Sequence, residues 1–510
     1  MGSTLWAHPA AGSPGERAVN PLPHPFTSEP KSMSTAMNVT TPLRRYASRR
    51  LLVGLGVLAA AASAPAFAHA PSAPSIQTGP LTLTFGGFAE LATVYRNRNQ
   101  SADIGSDFNT GIPFANNPNS SISEFRESAR QSRFSLLAQG AKFDGIRAEA
   151  YMETDFLSAG VTSNSRESNS YTLRMRVFYA RFTTDYGLDV LAGQNWSLAT
   201  LYKDGLYPRH EDVPMGIDAS YIVGFNWART PQIRIVEHFN KKFSLGMSLE
   251  SPQTVTGNGI NAVGAPAGSF PPSGVVYQNP GDAGGLMNPT TTYTTDIAPD
   301  LIVKAAFDPG WGHYEIYGLS RWFRSSIDRQ SNTATGGGIG AGMILPLIAR
   351  RLSFQASGLI GKGIGRYGSA QLPDVTMTPA GALAPISEYE VLLGLTYTPN
   401  PFWTLYGYAG REQESAKYYT VGTATYGYGA PQFNNSGCEA LSGTCVGNTR
   451  SVSELSGGFW WKFYQGKIGN MQFGLQGEYL QRDAFRGIGG APSANMFVAL
   501  ASFRYYPYQR

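Results

Sequence analysis

Apolar and polar residues alternate with a period of two along much of this chain, which is the period of a β-strand and not of a helix. Between Ile146 and Phe156, one face carries Ile146, Ala148, Ala150, Met152 and Phe156, and the other Arg147, Glu149, Tyr151, Glu153 and Asp155. The same pattern sets Phe243, Leu245, Met247 and Leu249 against Ser244, Gly246, Ser248 and Glu250. Farther on, Phe354, Ala356 and Ile360 oppose Ser353, Gln355 and Ser357. Met471, Phe473, Leu475 and Tyr479 oppose Gln472, Gln476, Glu478 and Arg482. These segments reach about 10–14 residues, longer than the ~5–6 of an average strand and long enough to cross a bilayer at a tilt.

The connections between the segments alternate in length. Tight turns are expected at Phe143–Gly145, Asp185–Gly187, Asn240–Lys242, Asp308–Gly312, Leu347–Arg350, Pro399–Pro401 and Gln465–Lys467. Long polar stretches lie between them, at 97–123, 158–170, 198–218, 252–296, 325–332, 364–386, 415–449 and 484–492. Seven turns and eight loops separate about sixteen strands, and an even count puts both chain ends on the short-turn side. A soluble β-sandwich also alternates. Length, several charges on each polar face, and the short–long rhythm favour an all-β transmembrane antiparallel barrel with short periplasmic turns and long extracellular loops.

Upstream, Arg44, Arg45, Arg49 and Arg50 precede an apolar stretch from Leu51 to Ala62, and Ala64-Pro65-Ala66-Phe67-Ala68 follows. This is the layout of a secretory signal, with cleavage expected after Ala68. Twelve apolar residues are too few for a spanning helix. The expected organisation is a non-structural extension at 1–36, a signal peptide at 37–68, a short periplasmic segment at 69–80 and the barrel at 81–510. Met33 or Met37 could then be the true start. Export without a transmembrane helix, joined to a barrel, points to the outer membrane of a Gram-negative envelope.

Composition agrees. Charged residues are 15% of the 510, against about 25% in an average soluble domain, while the mean hydropathy of −0.20 is too polar for a helical membrane protein. One wet face and one lipid face per strand produce that mixture. The formal charge of +5 resides mostly in the export region. Beyond residue 68 there are 34 basic and 33 acidic residues, so nucleic-acid binding is not indicated. Tyr95, Tyr397, Trp403, Trp461, Phe463, Tyr479 and Tyr505 fall where an interfacial aromatic girdle belongs. The chain ends Tyr505-Tyr506-Pro507-Tyr508-Gln509-Arg510, which displaces the terminal aromatic residue that many such barrels present to the barrel assembly machinery.

Several short stretches resemble the DcaP-like family of outer-membrane porins. They are Phe85-Gly86-Gly87-Phe88, Ser132-Arg133-Phe134-Ser135-Leu136, Leu173-Arg174-Met175-Arg176, Leu191-Ala192-Gly193-Gln194-Asn195-Trp196-Ser197 and Thr230-Pro231-Gln232-Ile233-Arg234. They cover about a third of the chain beyond the export signal, nearly all in its N-terminal half. The resemblance implies a homotrimeric, passive diffusion channel for small, often anionic hydrophilic solutes. Some members carry a periplasmic coiled coil before the barrel, for which 69–80 is too short and too rich in proline.

In a porin the third long loop folds inward to narrow the lumen, and fixed charge there filters solutes. That loop is expected at about 198–218, with Lys203, Asp204, Arg209, Glu211 and Asp212 as candidate constriction residues. Arg133, Arg147, Arg174, Arg176 and Arg234 are candidates for a facing basic ladder that favours anions, since guanidinium pairs carboxylate and phosphate. Alternatively, they pair with Glu149, Glu153 and Asp155 and stiffen the wall. Cys438 and Cys445, in the loop 415–449, suit a disulfide in an oxidising exported setting. No metal, haem or other cofactor site is read from the sequence, and no recognisable catalytic set, so an enzyme is not expected. The alternative to a channel is a structural or adhesin-type barrel, motivated by the long loops 252–296 and 415–449.

Overall fold

A computed structural model describes residues 74–157, 171–279 and 292–508. The expected extension and signal peptide, the loop 158–170 and part of 252–296 lie outside the described residues.

Sixteen antiparallel strands close into a barrel. They are β1 Leu81–Arg96, β2 Glu124–Ser128 continued by Arg133–Gln139, β3 Ile146–Asp155, β4 Arg174–Thr184, β5 Leu188–Trp196, β6 Arg229–His238, β7 Phe243–Glu250 and β8 Asp300–Phe307. There follow β9 His313–Ile327, β10 Gln330–Ile348, β11 Leu352–Lys362, β12 Ser387–Asn400, β13 Trp403–Glu414, β14 Thr449–Gly466, β15 Gly469–Ala484 and β16 Ser493–Tyr506. Each pairs with its neighbours in sequence, and β16 closes on β1, from Ala89↔Tyr505 to Arg96↔Val498. Closure removes both sheet edges, as a span through lipid requires. Beyond the end of β16, a short strand, Ser75–Thr78, takes the vacated place beside Leu81–Thr84. Among the described residues no helix is long and apolar enough to cross a membrane.

The alternation decides which side chains meet lipid. Ile316, Ile339, Ile360, Leu393, Leu405, Leu455 and Leu475 all project outward and are more than 40% exposed. A contiguous apolar surface of this extent is a membrane-facing band. Aromatic residues bound it on both sides. Trp403 stacks on Trp461 with ring centroids 5.7 Å apart near the short-turn rim, where Phe463 and Phe503 also meet. Tyr95 and Phe497 lie toward the long-loop rim. An arginine at Leu393, within the band, is expected to cost ~2–4 kcal/mol near the midplane. Denaturant unfolding of the lipid-inserted variant should show it as a lower midpoint.

Two expectations need correction. The stretch 325–332 is no long loop. Strands β9 and β10 run on past the membrane band to Ile327 and from Gln330, joined by Asp328 and Arg329 alone. Both have positive φ, 48° and 69°, the paired left-handed geometry of a two-residue hairpin turn. The inward loop is also longer than 198–218 and occupies 197–228. Its second half, rich in apolar residues (Tyr221, Ile222, Val223, Phe225), packs inside the lumen. In β4 the register with β3 shifts between Glu153 and Thr154, opposite Met175–Val177, which marks a bulge at Arg176.

Candidate functional site

The lumen holds a cavity of about 490 Å³ between the wall β2–β6 and three inward segments, 102–106, 209–220 and 369–371. The first inward loop is drawn in by Arg96, which is fully buried. Its guanidinium donates to the carbonyls of Asp103 (2.8 Å) and Gly105 (2.5 Å) and pairs with Glu124 at 2.6 Å. Ser106 Oγ donates to the Ser220 carbonyl at 2.8 Å, joining the first loop to the third. Asn109 Nδ2 donates to the Gln371 carbonyl at 3.0 Å, joining it to the sixth. The loop interiors are thus hydrogen-bonded to one another, as backbone buried in a lumen requires.

Seven arginines line this cavity, Arg130, Arg133, Arg174, Arg176, Arg209, Arg229 and Arg504, against four acids, Glu153, Asp155, Glu211 and Asp218. Arginines outnumber acids by three on the lining itself, while Arg130, Arg209 and Arg504 are paired from just outside it by Asp103, Glu149 and Glu90. On one wall Arg176 bridges Glu153 (2.6 Å) and Asp155 (2.8 Å), and Arg174 also pairs with Asp155 (2.7 Å). Arg133 stands 3.6 Å from Glu153. The carboxylates therefore hold the guanidinium groups in place without cancelling them. Arg229 is the least compensated. It lies over the indole of Trp196, 4.8 Å away, and near Trp227, and its buried Nη1 has no hydrogen-bond partner. Arg504 pairs with Glu90 at 3.0 Å and donates to the Ile217 carbonyl, tying the last strand to the inward loop.

Of the ten charged residues singled out from sequence, Arg133, Arg174, Arg176, Arg209 and Glu211 line this cavity. Arg209 stands 3.5 Å from Glu149. The other five lie elsewhere. Arg234 faces inward but is sealed beneath the third loop, donating to Tyr202 Oη and to the Trp196 carbonyl, both at 2.5 Å, and to Gln232. It braces the loop. Arg147 is exposed on the wall toward the short-turn rim, one strand position below Glu149. Lys203 and Asp204 sit at the tip of the inward loop, where Asp204 pairs with His210 at 2.7 Å. Asp212 lies in a narrow cleft with Glu315 and Glu390. Burial pushes the carboxyls of Glu211 and Asp212 up, Asp212 to about 6, so the loop carries less negative charge in mild acid than its sequence suggests.

The opposite wall carries carboxyl groups that sequence reasoning missed. Glu388, Glu390, Glu412, Glu414, Glu454 and Glu478 project inward from β12–β15 and are all buried. Two of them act as anchors. Glu412 accepts from the backbone N–H of Gly224 (2.8 Å) and of Ala370 (3.1 Å), and Glu454 from that of Val223 (2.5 Å). Gly224 has φ +80°, and a Cβ there would meet the Val391 carbonyl oxygen at 2.2 Å. Only glycine lets the loop lie this close to β12. A signal for this acidic wall was the spacing Glu388-x-Glu390 and Glu412-x-Glu414, which places paired carboxylates on one inward face.

On the long-loop rim, Cys438 and Cys445 are disulfide-bonded. The stapled loop docks on the first loop, since Asn116 N donates to the Cys438 carbonyl and Ser442 N to the Asn116 carbonyl.

Comparison with known proteins places this architecture. No protein-family model matches the sequence, and no curated protein matches it. Among solved structures, the outer-membrane channel DcaP of Acinetobacter baumannii is similar with a TM-score of 0.58 and 15% identity, over 84% of this chain and 99% of that one. The anion-selective porin from Comamonas acidovorans is similar at 9% identity with a TM-score of 0.45, over 84% of this chain and 99% of that one. OmpF of Salmonella typhi is similar at 8% identity and 0.46, over 85% of this chain and all of that one. The chain has the transmembrane β-barrel fold of outer-membrane porins.

Proposed function

We propose that this chain is a passive diffusion channel of the outer membrane for small hydrophilic solutes, with a preference for anions and for carboxylates in particular. The excess of arginine around the cavity carries this reading. Guanidinium groups held in a narrow, low-dielectric throat raise the local concentration of anions and depress that of cations. Their planar fork fits a carboxylate. The chain is exported by the signal at 37–68, inserted by the barrel assembly machinery and works as a homotrimer. A structural or adhesin-type barrel is less favoured, because the first, third and sixth loops turn into the lumen and line its cavity.

Purified protein added to a planar bilayer is expected to give discrete conductance steps. A bilayer that stays sealed in the presence of correctly folded protein would contradict the channel and favour the adhesin. Acidification gives a second check. Asp212, its carboxyl pushed up to about 6 by burial, and Glu211, raised for the same reason, lose charge more readily than ordinary carboxylates as pH falls. Anion preference should therefore increase on the acid side.

A further inference from the structure

The inward loop descends well past the cavity. Its tip is a tight hairpin, Tyr202–Glu211, closed by the Lys203 N–H donating to the His210 carbonyl. This hairpin meets the barrel wall at the short-turn, periplasmic rim, and the contact has an unusual composition. The three histidines among the described residues, His210, His238 and His313, all lie in it or against it. Tyr207 lies flat on His238, with ring centroids 4.0 Å apart and 13° between planes.

His313 holds the contact together. Its Nδ1 is 2.7 Å from Asp308 Oδ1 and its Nε2 is 2.9 Å from Glu315 Oε1. Each of those carboxylates also accepts a backbone N–H from the hairpin. Gly205 N donates to Asp308 Oδ2 and Tyr202 N to Glu315 Oε1, both at 3.0 Å. Both hydrogen bonds of the ring end on carboxylate oxygens, which only accept when ionised. Neutral imidazole has one N–H and satisfies one of them, whereas imidazolium satisfies both.

We propose that His313 is a pH-sensitive latch, which as imidazolium holds the two carboxylates that dock the inward hairpin and on deprotonation frees the hairpin from the wall. The charged groups around it are consistent with this. Lys304 on β8 pairs with Glu315 at 2.6 Å and donates to the Thr200 carbonyl, leaving His313 to balance Asp308. Lys203 and Asp212 face the site from the loop, Tyr207 and His238 lie near Asp308, and Lys241 faces it from the turn between β6 and β7. Loss of one His313 proton leaves one of the two carboxylates, Asp308 at 2.7 Å or Glu315 at 2.9 Å, facing a bare ring nitrogen, a repulsive contact. Water reaches the site, because His313, Asp308, Lys203 and Lys241 line one open cavity at this rim of about 430 Å³.

The test uses the full barrel in lipid with a spin label at Lys203→Cys, the native cysteines being disulfide-bonded to each other. Between about pH 6 and about pH 9, across the range a paired histidine titrates, the spectrum should change from immobilised to largely mobile. His313→Gln keeps one donor and one acceptor but cannot become a cation, and its label should show no such pH transition. An unchanged wild-type spectrum across that range overturns the proposal, and so does an undiminished transition in His313→Gln. If that variant fails to insert, the wild-type spectra together with Asp308→Asn decide. In Asp308→Asn the neutral partner tolerates a neutral ring, so persistence of the full transition there also overturns the proposal.

Discussion

Replacing Arg229 with glutamate is expected to shift the channel's preference away from anions more than any other single change in the cavity. Arg229 is the guanidinium least engaged by carboxylates, so its charge faces the permeating solute. The substitution removes one positive charge and adds a negative one. For an ion passing at ~10 Å, two units of charge change its energy by about 0.8 to 3 kcal/mol between the dielectric of water and that of a protein surface. A tenfold change in relative permeability corresponds to ~1.4 kcal/mol, so a loss of about that order is expected. The new carboxylate would share the cavity with Arg133, Arg174 and Arg176, which favours folding. Reversal potentials of wild type and variant under one salt gradient check this. Equal values would remove Arg229 from the filter.

Glu412→Ala is expected to loosen the inward loop. Its carboxylate accepts buried N–H groups from two different loops, at Gly224 and Ala370. Leaving buried donors unsatisfied costs ~1–3 kcal/mol each, so a destabilisation of about 2–6 kcal/mol is expected in denaturant unfolding. The apex at 222–226 is then free to leave β12–β14, and the single-channel conductance should rise. Glu412→Gln retains an acceptor oxygen and should fall between alanine and wild type. A variant that unfolds and conducts like the wild type would show that the apex is held by its apolar contacts alone.

Strand positions were legible in the sequence because a barrel wall imposes one rule on every residue, lipid on one side and water on the other. Ile146–Phe156 and Phe243–Glu250 obey it closely, and the alternating connections then set the strand count. The failures have physical causes. Polar residues at 325–332 read as a loop because strands that pass beyond the lipid no longer need an apolar face. The apolar residues of 219–228 resemble a strand in sequence, yet they belong to the inward loop and pack on other loops inside the lumen.

The cavity was half legible. Arg133, Arg174 and Arg176 stand on strands whose parity points inward. Arg229 shares its parity with the lipid-facing Ile233 and Ile235, yet it lines the cavity because the end of β6 turns inward beside Trp196. Parity misled in the other direction at Arg234, which faces inward but is covered by Tyr202. The contributions of the first and sixth loops are made largely by backbone carbonyl and N–H groups, at Asp103, Gly105, Ala370 and Gln371. Those leave no mark in side-chain chemistry.

The sign of the wild-type reversal potential in a planar bilayer under a potassium chloride gradient is the most direct test of an arginine-walled aqueous path. A potential displaced toward the chloride equilibrium value is predicted. A potential displaced toward the potassium value would contradict the account, since the acidic wall β12–β15 would then be setting the selectivity in place of the arginines.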